Sequence, residues 1–321
     1  MIRHLLALSA ATLSLHALAA APASYTIVDL GADEQPLAVN NKGRIVGYTI
    51  STHLPVTFAD GVWTPLAIRG SSGEARAVNS HGVIVGFDHQ QVQWVDGQRI
   101  HLAKTQFGKA EGIANDGTVV GRSGGGGGGE VSCYRWKNGV INFLPAPGDF
   151  CDAHGIDPTG TFVAAESDDD AIIFDSAGAH DLGTLVQGGF SSAVAVNRHG
   201  HAAVLSTYDN SNQWAAVYWD GTHLVDIGLH PNGTQSVSTA INQADDVLVG
   251  GLDGVGHTLF LYSGPSKTIT PIEPLISNPK GWAFDVDPAL EVAALANDGT
   301  IYGAAHFKGA MHAFKLVPSA D

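Results

Sequence analysis

The amino-acid sequence predicts an all-β fold, a seven-bladed β-propeller whose last blade is closed by the N-terminal strand, residues 25–32. Three observations predict it: a β-rich unit recurs along the chain, each copy has the same kind of turn, and the two ends of the chain carry complementary incomplete copies. Repeats of about 40 residues built from short β runs are typical of propeller blades.

The first turn of the repeat is seen in AVNNKGRIVGY, residues 38–48. Asn at the first position of the turn and Gly at the fourth suit a type I turn followed by a residue with positive φ. The motif therefore predicts a hairpin of the first two strands. The fourth position recurs 35 to 54 residues apart, at Gly43, Gly82, Gly117, Gly160, Gly200, Asp245 and Gly299.

A third strand rich in aromatic residues follows in each copy, and in four copies it ends in an Asx-Gly pair. These pairs are Asp60-Gly61, Asp96-Gly97, Asn138-Gly139 and Asp220-Gly221. Asx-Gly between alternating apolar residues is a strong hairpin signal. A fourth strand such as HLVDIGL, residues 223–229, comes next. Each copy therefore predicts a four-stranded antiparallel meander.

The seventh copy ends at its third strand, MHAFKLVPSAD, whereas YTIVDLGA, residues 25–32, resembles a fourth strand with none before it. Pairing these two segments closes the ring and removes two exposed sheet edges. An open β-solenoid and a pair of β-sandwiches are the alternatives. The uneven spacing argues against a solenoid, because solenoid coils stack at nearly constant length.

Residues 1–23 have the pattern of a secretory signal peptide, with Arg3, an apolar stretch from Leu5 to Leu15 and Ala-x-Ala sites. A first core helix is the alternative. No later segment approaches the uninterrupted apolar length of a transmembrane helix. We expect an exported protein, extracellular or periplasmic, whose residues 24–321 form a single propeller domain and act as a monomer.

The formal net charge of −15 repels phosphate, so we expect no nucleic-acid partner. The chain carries no phosphate-binding loop, His-Glu-x-x-His or Cys-x-x-Cys motif, and no cofactor is predicted. It has two cysteines, Cys133 and Cys151. Since export favours oxidation, we predict a disulfide between them.

Three segments carry a resemblance to a known family: His312-Ala313-Phe314, the HDLGTL and VDIGL strands at 180–185 and 225–229, and a closing repeat that includes Gly281-Trp282. The repeats resemble the bacterial HAF-type extracellular repeat family over nearly the whole mature chain. His-Ala-Phe is absent from the other six copies, and Asp245 replaces a turn glycine. The resemblance implies an exported repeat protein with no agreed activity.

The two ends of each meander differ. The first and third turns form one end of the ring, the turn face; the second turns and the links between blades form the other end, the loop face. The second turns lie around residues 49–55, 87–91, 122–131, 166–170, 206–213, 252–256 and 304–309. Variable loops on a rigid scaffold usually carry binding, so we expect any site on the loop face.

Three sets of loop-face residues are candidates. The first set suits stacking on a sugar and hydrogen bonding to it: Tyr208, Asn210, Asn212 and Trp214. The second set has one histidine in each of four second turns, for binding or for a metal: His53, His89, His257 and His306. The third set is an acidic tip of the kind that binds hard cations, with a solvated charge run as its alternative: Asp168, Asp169 and Asp170.

Three interpretations of the function remain. The leading one is a non-enzymatic propeller that binds a protein partner or a carbohydrate through the loop face. The second is a lyase or hydrolase acting on a polysaccharide at the central channel, and the third is a structural envelope protein. A deep central pocket lined by titratable groups would favour the enzyme, and a shallow aromatic or polar patch the binder. No catalytic residue is predicted: GRSGG, residues 121–125, has the letters of a nucleophile elbow but precedes more glycines instead of a helix.

Overall fold

Six four-stranded sheets and one six-stranded sheet surround a central channel in the computed structural model, which confirms the predicted seven-bladed β-propeller. The structure describes residues 22–102, 108–124, 130–209, 213–228, 235–251, 253, 255–284 and 292–319. The predicted signal peptide lies outside this part of the chain except for its last two residues. Within the described ranges, no helix combines the length and apolar character needed to cross a membrane.

The strands of the first half of the chain are β1 (Tyr25–Ala32), β2 (Glu34–Val39), β3 (Ile45–Thr49), β4 (Pro55–Ala59), β5 (Val62–Pro65), β6 (Glu74–Val78), β7 (Ile84–Phe87), β8 (Gln91–Val95), β9 (Gln98–His101), β10 (Gly108–Ile113), β11 (Val119–Gly124), β12 (Val131–Lys137), β13 (Val140–Phe143), β14 (Cys151–Ile156), β15 (Val163–Ser167), β16 (Asp170–Asp175) and β17 (Gly178–Asp181).

Those of the second half are β18 (Ser191–Val196), β19 (Ala202–Thr207), β20 (Trp214–Trp219), β21 (Leu224–Asp226), β22 (Val237–Ile241), β23 (Asp246–Gly250), β24 (Leu259–Ser263), β25 (Thr268–Pro271), β26 (Ile276–Ser277), β27 (Trp282–Ala283), β28 (Val292–Leu295), β29 (Ile301–Phe307) and β30 (Ala310–Pro318). A short 3-10 helix spans Glu273–Leu275.

Blades 1 to 6 take four consecutive strands each, starting at β2, β6, β10, β14, β18 and β22. Each blade is an antiparallel meander whose first strand lines the channel and whose fourth strand is the most exposed. Blade 7 combines β28, β29 and β30 with β1. Every blade is therefore built from the turns that the sequence predicts.

The two ends of the chain close the ring, as predicted. Strand β1 pairs antiparallel with β30, from Tyr25 opposite Pro318 to Ala32 opposite His312. Tyr25 is fully buried, and the Ser319 amide donates to the Ser24 carbonyl at 2.9 Å. Two short strands of blade 7 are not predicted: β26 adds in parallel outside β1, and β27 pairs with β29. Both strands lie in the longest interval between repeat turns, which contains more residues than the strands of the predicted blade use.

The repeated asparagine explains the turn motif. Asn40 Oδ1 accepts from the amides of Lys42 and Arg44, both at 3.0 Å, and so closes its own turn. Its Nδ2 donates across the blade boundary to the Asn79 carbonyl at 2.8 Å. Asn79 and Asn197 repeat this arrangement, and all three are buried. One side chain thus satisfies the turn and joins neighbouring blades.

A β-bulge recurs at the same point of every first strand, where the register with the second strand shifts by one residue. Bulges re-aim a side chain and are common at the rims of sheets and near functional sites. In blades 1 to 6 the extra residue lines the channel. These bulge residues are Leu37, Arg76, Glu111, His154, Val194 and Thr239.

The predicted disulfide is confirmed. Cys133 in β12 of blade 3 is bonded to Cys151, the first residue of β14 in blade 4, and both are buried. The bond joins two blades next to the poly-Gly segment, whose residues 125–129 lie outside the described ranges.

Candidate functional site in the central channel

The central channel holds a cavity of about 570 Å³, lined by the first strands of all seven blades. Charged side chains gather where these strands begin, towards the loop face, on blades 2 to 4. We call this group the channel cluster: Glu74, Arg76, Glu111, Arg122, Asp152, His154 and Glu166, which are linked by ion pairs or close charge contacts. Arg76, Glu111 and His154 line the cavity, and the other four members are linked to them by the ion pairs and charge contacts.

Arg76 is the bridge between blades 2 and 3. Its Nη1 donates to Glu74 Oε2 at 3.0 Å, and its Nε donates to Glu111 Oε2 at 2.6 Å. Burial by itself lowers the pKa of Arg76, but the two carboxylates outweigh it and raise that pKa above the ordinary value. Arg76 therefore stays charged and holds both glutamates in the channel wall.

Asp152 and His154 lie on the first strand of blade 4. Arg122 Nη1 donates to Asp152 Oδ2 at 2.6 Å, while Asp152 Oδ1 is buried with no hydrogen-bond partner. His154 Nε2 is also buried without a hydrogen-bond partner, and it lies 3.9 Å from Glu166 Oε2. Burial, assisted by the charges of Glu111 and Glu166, raises the pKa of Asp152 above its usual range, against the influence of His154 and Arg122.

The wall opposite these charged residues is mainly apolar, with a few neutral polar side chains such as Thr239 and Gln243. Blade 5 contributes Val194 and Leu205, and blade 6 contributes Val237 and Ala240. The channel is consequently amphipathic, with charged residues on blades 2 to 4 and a mainly apolar wall opposite. Such a wall suits a ligand with an apolar stem and a charged end.

His53 is the predicted site residue that joins the channel cluster. Its Nε2 lies 2.8 Å from Glu74 Oε1, and its ring packs against Tyr48 with centroids 4.4 Å apart. Tyr48 also lines the cavity, and burial followed by the charge of Glu74 raises its pKa. The second turn of blade 1 therefore reaches the mouth of the channel.

The other three predicted histidines do not join the cluster. The ring of His89 packs against the backbone of Gly70. His257 Nδ1 lies 2.7 Å from Asp253 Oδ2 within its own loop. His306 lies on β29, in register with Ala283 and Met311. Within the described ranges these histidines form no shared group with His53 that could hold a metal ion.

Two of the four predicted sugar-binding residues, Tyr208 and Trp214, lie on blade 5. Trp214 packs edge-on against Phe190 with centroids 4.9 Å apart, and Tyr208 packs on the apolar core between blades 4 and 5. Asn210 and Asn212 lie outside the described residues. Trp214 and Tyr208 are both half-buried, so stacking on a sugar by this pair stays a prediction.

The acidic tip has structural contacts. Asp168 Oδ1 accepts from the Phe150 amide at 3.0 Å, and the Asp169 carbonyl accepts from the Ser191 amide at 2.8 Å. Burial, together with Asp181 and the two neighbouring aspartates, raises the pKa of Asp170. These contacts tie the second turn of blade 4 to the adjacent links, and a cation at the tip stays a prediction.

Sequence reasoning missed the channel cluster. Its bulge members, Arg76, Glu111 and His154, lie three residues before Asn79, Ala114 and Asp157, the first residue of each turn. This fixed offset is visible in the sequence, and it could have identified the channel-lining position in every blade.

Comparison with known proteins supports the fold. No family model matches the chain, and no curated protein matches it. Among solved structures, YCF48 bound to D1 peptide is similar over 97% of this chain and 100% of that chain, with TM-score 0.55 and 17% identity. Two further solved structures are similar. One is TolB from Acinetobacter baumannii, with TM-score 0.43 and 14% identity over 71% of this chain. The other is the gluconolactonase XC5397 from Xanthomonas campestris, with TM-score 0.46 and 15% identity over 73% of this chain and 88% of that chain. This chain spans 62% of the TolB chain. At such identities the similarity establishes the propeller fold alone.

Proposed function

We propose that the protein is a binding propeller that receives a basic side chain of an extended polypeptide partner in its central channel, entered from the loop face. The observation that carries this proposal is a pair of buried atoms without a hydrogen-bond partner on the first strand of blade 4: His154 Nε2, on a residue that lines the cavity, and Asp152 Oδ1, two residues before it in the chain. A buried polar atom without a partner is costly, and a ligand that supplies hydrogen bonds removes that cost.

The ligand chemistry follows from the two sides of the channel. An ammonium or guanidinium group donates several hydrogen bonds, which Asp152 Oδ1 can accept, as can His154 Nε2 in the tautomer that carries its hydrogen on Nδ1. The methylene stem of a Lys or Arg side chain packs on the mainly apolar wall around Val194 and Val237. The net charge of −15 attracts a basic partner over longer distances. The peptide bound to the propeller YCF48 supports polypeptides as the first class to test.

Export to the periplasm or the cell exterior is part of the same proposal. It is supported by the buried disulfide, since such bonds persist in oxidising compartments. Membership of the HAF-type repeat family is supported by the repeat motifs alone. Mass spectrometry of the protein secreted by its host checks the export step, because cleavage near residue 23 leaves an N-terminus just before Tyr25.

Binding is tested with short labelled peptides that differ at one central residue, which is Lys, Arg, norleucine or Glu. We expect fluorescence anisotropy to show Lys or Arg peptides binding at least tenfold more tightly than norleucine, since a charge-assisted hydrogen bond contributes about 1.5–3 kcal/mol. Asp152→Asn should remove most of this preference.

The matched control is Asp60→Asn, which changes the net charge equally on the turn face. Asn138 occupies the equivalent turn position in blade 3 with the same left-handed backbone, so blade 1 accommodates the change. Equal binding of the Lys and norleucine peptides, or an unchanged preference in Asp152→Asn, contradicts the proposal. Binding to a glycan array instead of the peptides assigns the channel to carbohydrate and overturns the polypeptide partner.

A second candidate, an enzyme acting on a polysaccharide, is favoured by one observation: the central cavity contains titratable groups and the pKa of Asp152 is raised. Against it, Arg76 and Arg122 form ion pairs with three of the four carboxylates, so these groups already have partners in the folded protein. Release of new reducing ends or unsaturated products from polysaccharides, lost in Asp152→Asn, would establish the enzyme.

A further inference from the structure

Two histidines and one aspartate converge on the turn face, between blades 5 and 6 and on the opposite face from the mouth of the channel. His201 Nδ1 lies 2.8 Å from Asp245 Oδ1, and His199 Nδ1 lies 3.5 Å from the same oxygen. One ligand atom from each residue lies within 4.8 Å of the other two. Among the residues that the structure describes, these three side chains form the group of His, Cys, Asp or Glu whose ligand atoms lie close enough together to hold one metal ion.

Asp245 occupies the turn position that is glycine in the other six copies. Its φ is 65°, a left-handed conformation in which a Cβ atom is sterically disfavoured. Its amide lies 3.4 Å from the Asn242 carbonyl, whereas the Gly43 and Gly82 amides make the equivalent turn contact at 2.9 and 3.0 Å. The side chain that replaces the glycine hydrogen directs its carboxylate at the histidines of blade 5, so this copy of the turn presents a ligand group where the other copies have none.

The ligand set indicates the class of metal. Two ligand atoms on a tetrahedral Zn²⁺ lie about 3.4 Å apart when their bonds are about 2.0–2.1 Å, and the two nitrogen-to-oxygen distances here lie on either side of this value. Two imidazoles and one carboxylate suit Zn²⁺ and its neighbours, whereas Ca²⁺ and Mg²⁺ prefer sets made of oxygen alone. The Tyr218 hydroxyl, 3.0 Å from His201 Nδ1, adds a further oxygen beside the group.

We propose that His199, His201 and Asp245 form a binding site for a divalent transition-metal ion of the Zn²⁺ class, which joins blade 5 to blade 6. The ion lies between His201 Nδ1 and Asp245 Oδ1, so each imidazole binds it through an unprotonated Nδ1 and carries its one proton on Nε2, while a second proton on either ring is released to solvent. Asn197 Nδ2, 2.6 Å from Asp245 Oδ1, keeps its hydrogen bond to that oxygen. Three protein ligands leave the fourth position of a tetrahedral ion for water. The exposed Arg198, whose Nε donates to His199 Nε2 at 3.1 Å, exchanges this contact for water.

Zn²⁺ titration of the tag-free protein by calorimetry tests the site. We expect one tight site per chain, weakened at least tenfold in Asp245→Gly, which restores the residue of the other six copies and therefore keeps the turn. His201→Ala should weaken binding equally. The control is His81→Ala, because His81 holds the same turn position in blade 2 as His199 does in blade 5.

A second readout separates metal ligation from a merely structural contact. Zn²⁺ should raise the thermal unfolding midpoint of the wild type and leave that of Asp245→Gly unchanged, because an ion that binds only the folded state stabilises it. Co²⁺ should give a visible absorption band that these variants lose and His81→Ala keeps. If Asp245→Gly does not fold, His199→Ala, at an exposed side chain, gives the same comparison. Indistinguishable Zn²⁺ titrations of wild type and the ligand variants, or no Zn²⁺ bound by the wild type, overturn the proposal.

Discussion

Arg76 and Glu111 hold the same bulge position in neighbouring blades, and Arg76 Nε donates to Glu111 Oε2 at 2.6 Å across the blade boundary. The pair shows what the repeated bulge does. In blades 2 and 3 it places the two bulge side chains next to each other, so that residues from separate repeats become partners in the channel wall.

Replacing Arg76 should destabilise the propeller. Arg76→Leu, the residue of blade 1 at the same position, removes the guanidinium partner of Glu74 and of the nearly buried Glu111. We expect the free energy of unfolding to fall by about 2 kcal/mol. This is less than the cost of breaking a fully buried ion pair, because a third of the Arg76 side chain is exposed. Urea unfolding at pH 7 measures it. Adding Glu111→Val, which introduces the side chain that blade 5 has at this position in Val194, should restore part of the lost stability. If Arg76→Leu alone is as stable as the wild type, the prediction is wrong.

Asp253 should make the protein sensitive to acid. Its Oδ1 accepts from the amides of Val255, Gly256 and His257, and its Oδ2 lies 2.7 Å from His257 Nδ1. Although burial acts in the opposite direction, these hydrogen bonds lower the pKa of Asp253 from 3.8 to about 2. Because the folded-state pKa lies below the unfolded one, the stabilisation is present above pH 3.8 and is lost as the pH falls through 2.

Asp253→Asn should therefore cost about 1 kcal/mol of unfolding free energy at pH 7, after allowance for solvent screening, and this cost should disappear as the pH falls through 2. Chemical denaturation across this pH range measures the difference. Parallel pH profiles for variant and wild type would count against the assignment. Asp60→Asn on the turn face serves as the charge-matched control.

Removing the disulfide should lower stability without changing the fold. Cys133 and Cys151 are 18 residues apart, and in the chain-entropy model closing a loop of this size contributes about 3 kcal/mol. The double variant Cys133→Ala/Cys151→Ala should therefore unfold at lower denaturant, with an unchanged far-ultraviolet circular dichroism spectrum. Reduction of the wild type should give the same shift, and no shift in either sample contradicts the prediction.

Because the two ends of the propeller lie next to each other, they can be joined and new chain ends can be made at another position. Ser24 and Ser319 lie side by side, with 2.9 Å between their hydroxyl oxygens, so a short Gly-Ser linker can join the ends. A circular permutant that starts at Ser72, in the link between blades 1 and 2, should fold with the wild-type spectrum. A permutant opened between Val163 and Ala164, inside β15, should fail to fold. Equal behaviour of the two permutants would speak against ring closure by β1 and β30.

The sequence predicted the blades because their turns depend on local chemistry. Asn40 and Gly43 form the same hydrogen-bonded turn wherever that pattern occurs, so seven patterns predict seven hairpins. Closure was predictable for a similar reason, since residues 25–32 and 311–318 carry complementary strand patterns. The added strands β26 and β27 were not predicted, because short strands of two residues depend on neighbours that only the folded blade supplies.

The sites were harder to predict because they join residues from different repeats. His53 was singled out in its loop, but its contact with Glu74 depends on the position of blade 2. The channel position of His154 depends on a bulge, which is set by register with the second strand and not by composition. Asp245 was recognised as a departure from the turn pattern, and its partners His199 and His201 became apparent only once blade 5 lay beside it.

The pairing of Tyr25 with Pro318 also sets the order of assembly. During synthesis β1 is the first of these strands to leave the ribosome and β30 is the last, so their antiparallel pairing cannot form until almost the whole chain has been made. Any chain cut short before β30 keeps both edges open and offers them to other polypeptides. Completion of synthesis is therefore a requirement for a sealed ring, and a C-terminal truncation should be recognised by the cell as a misfolded protein.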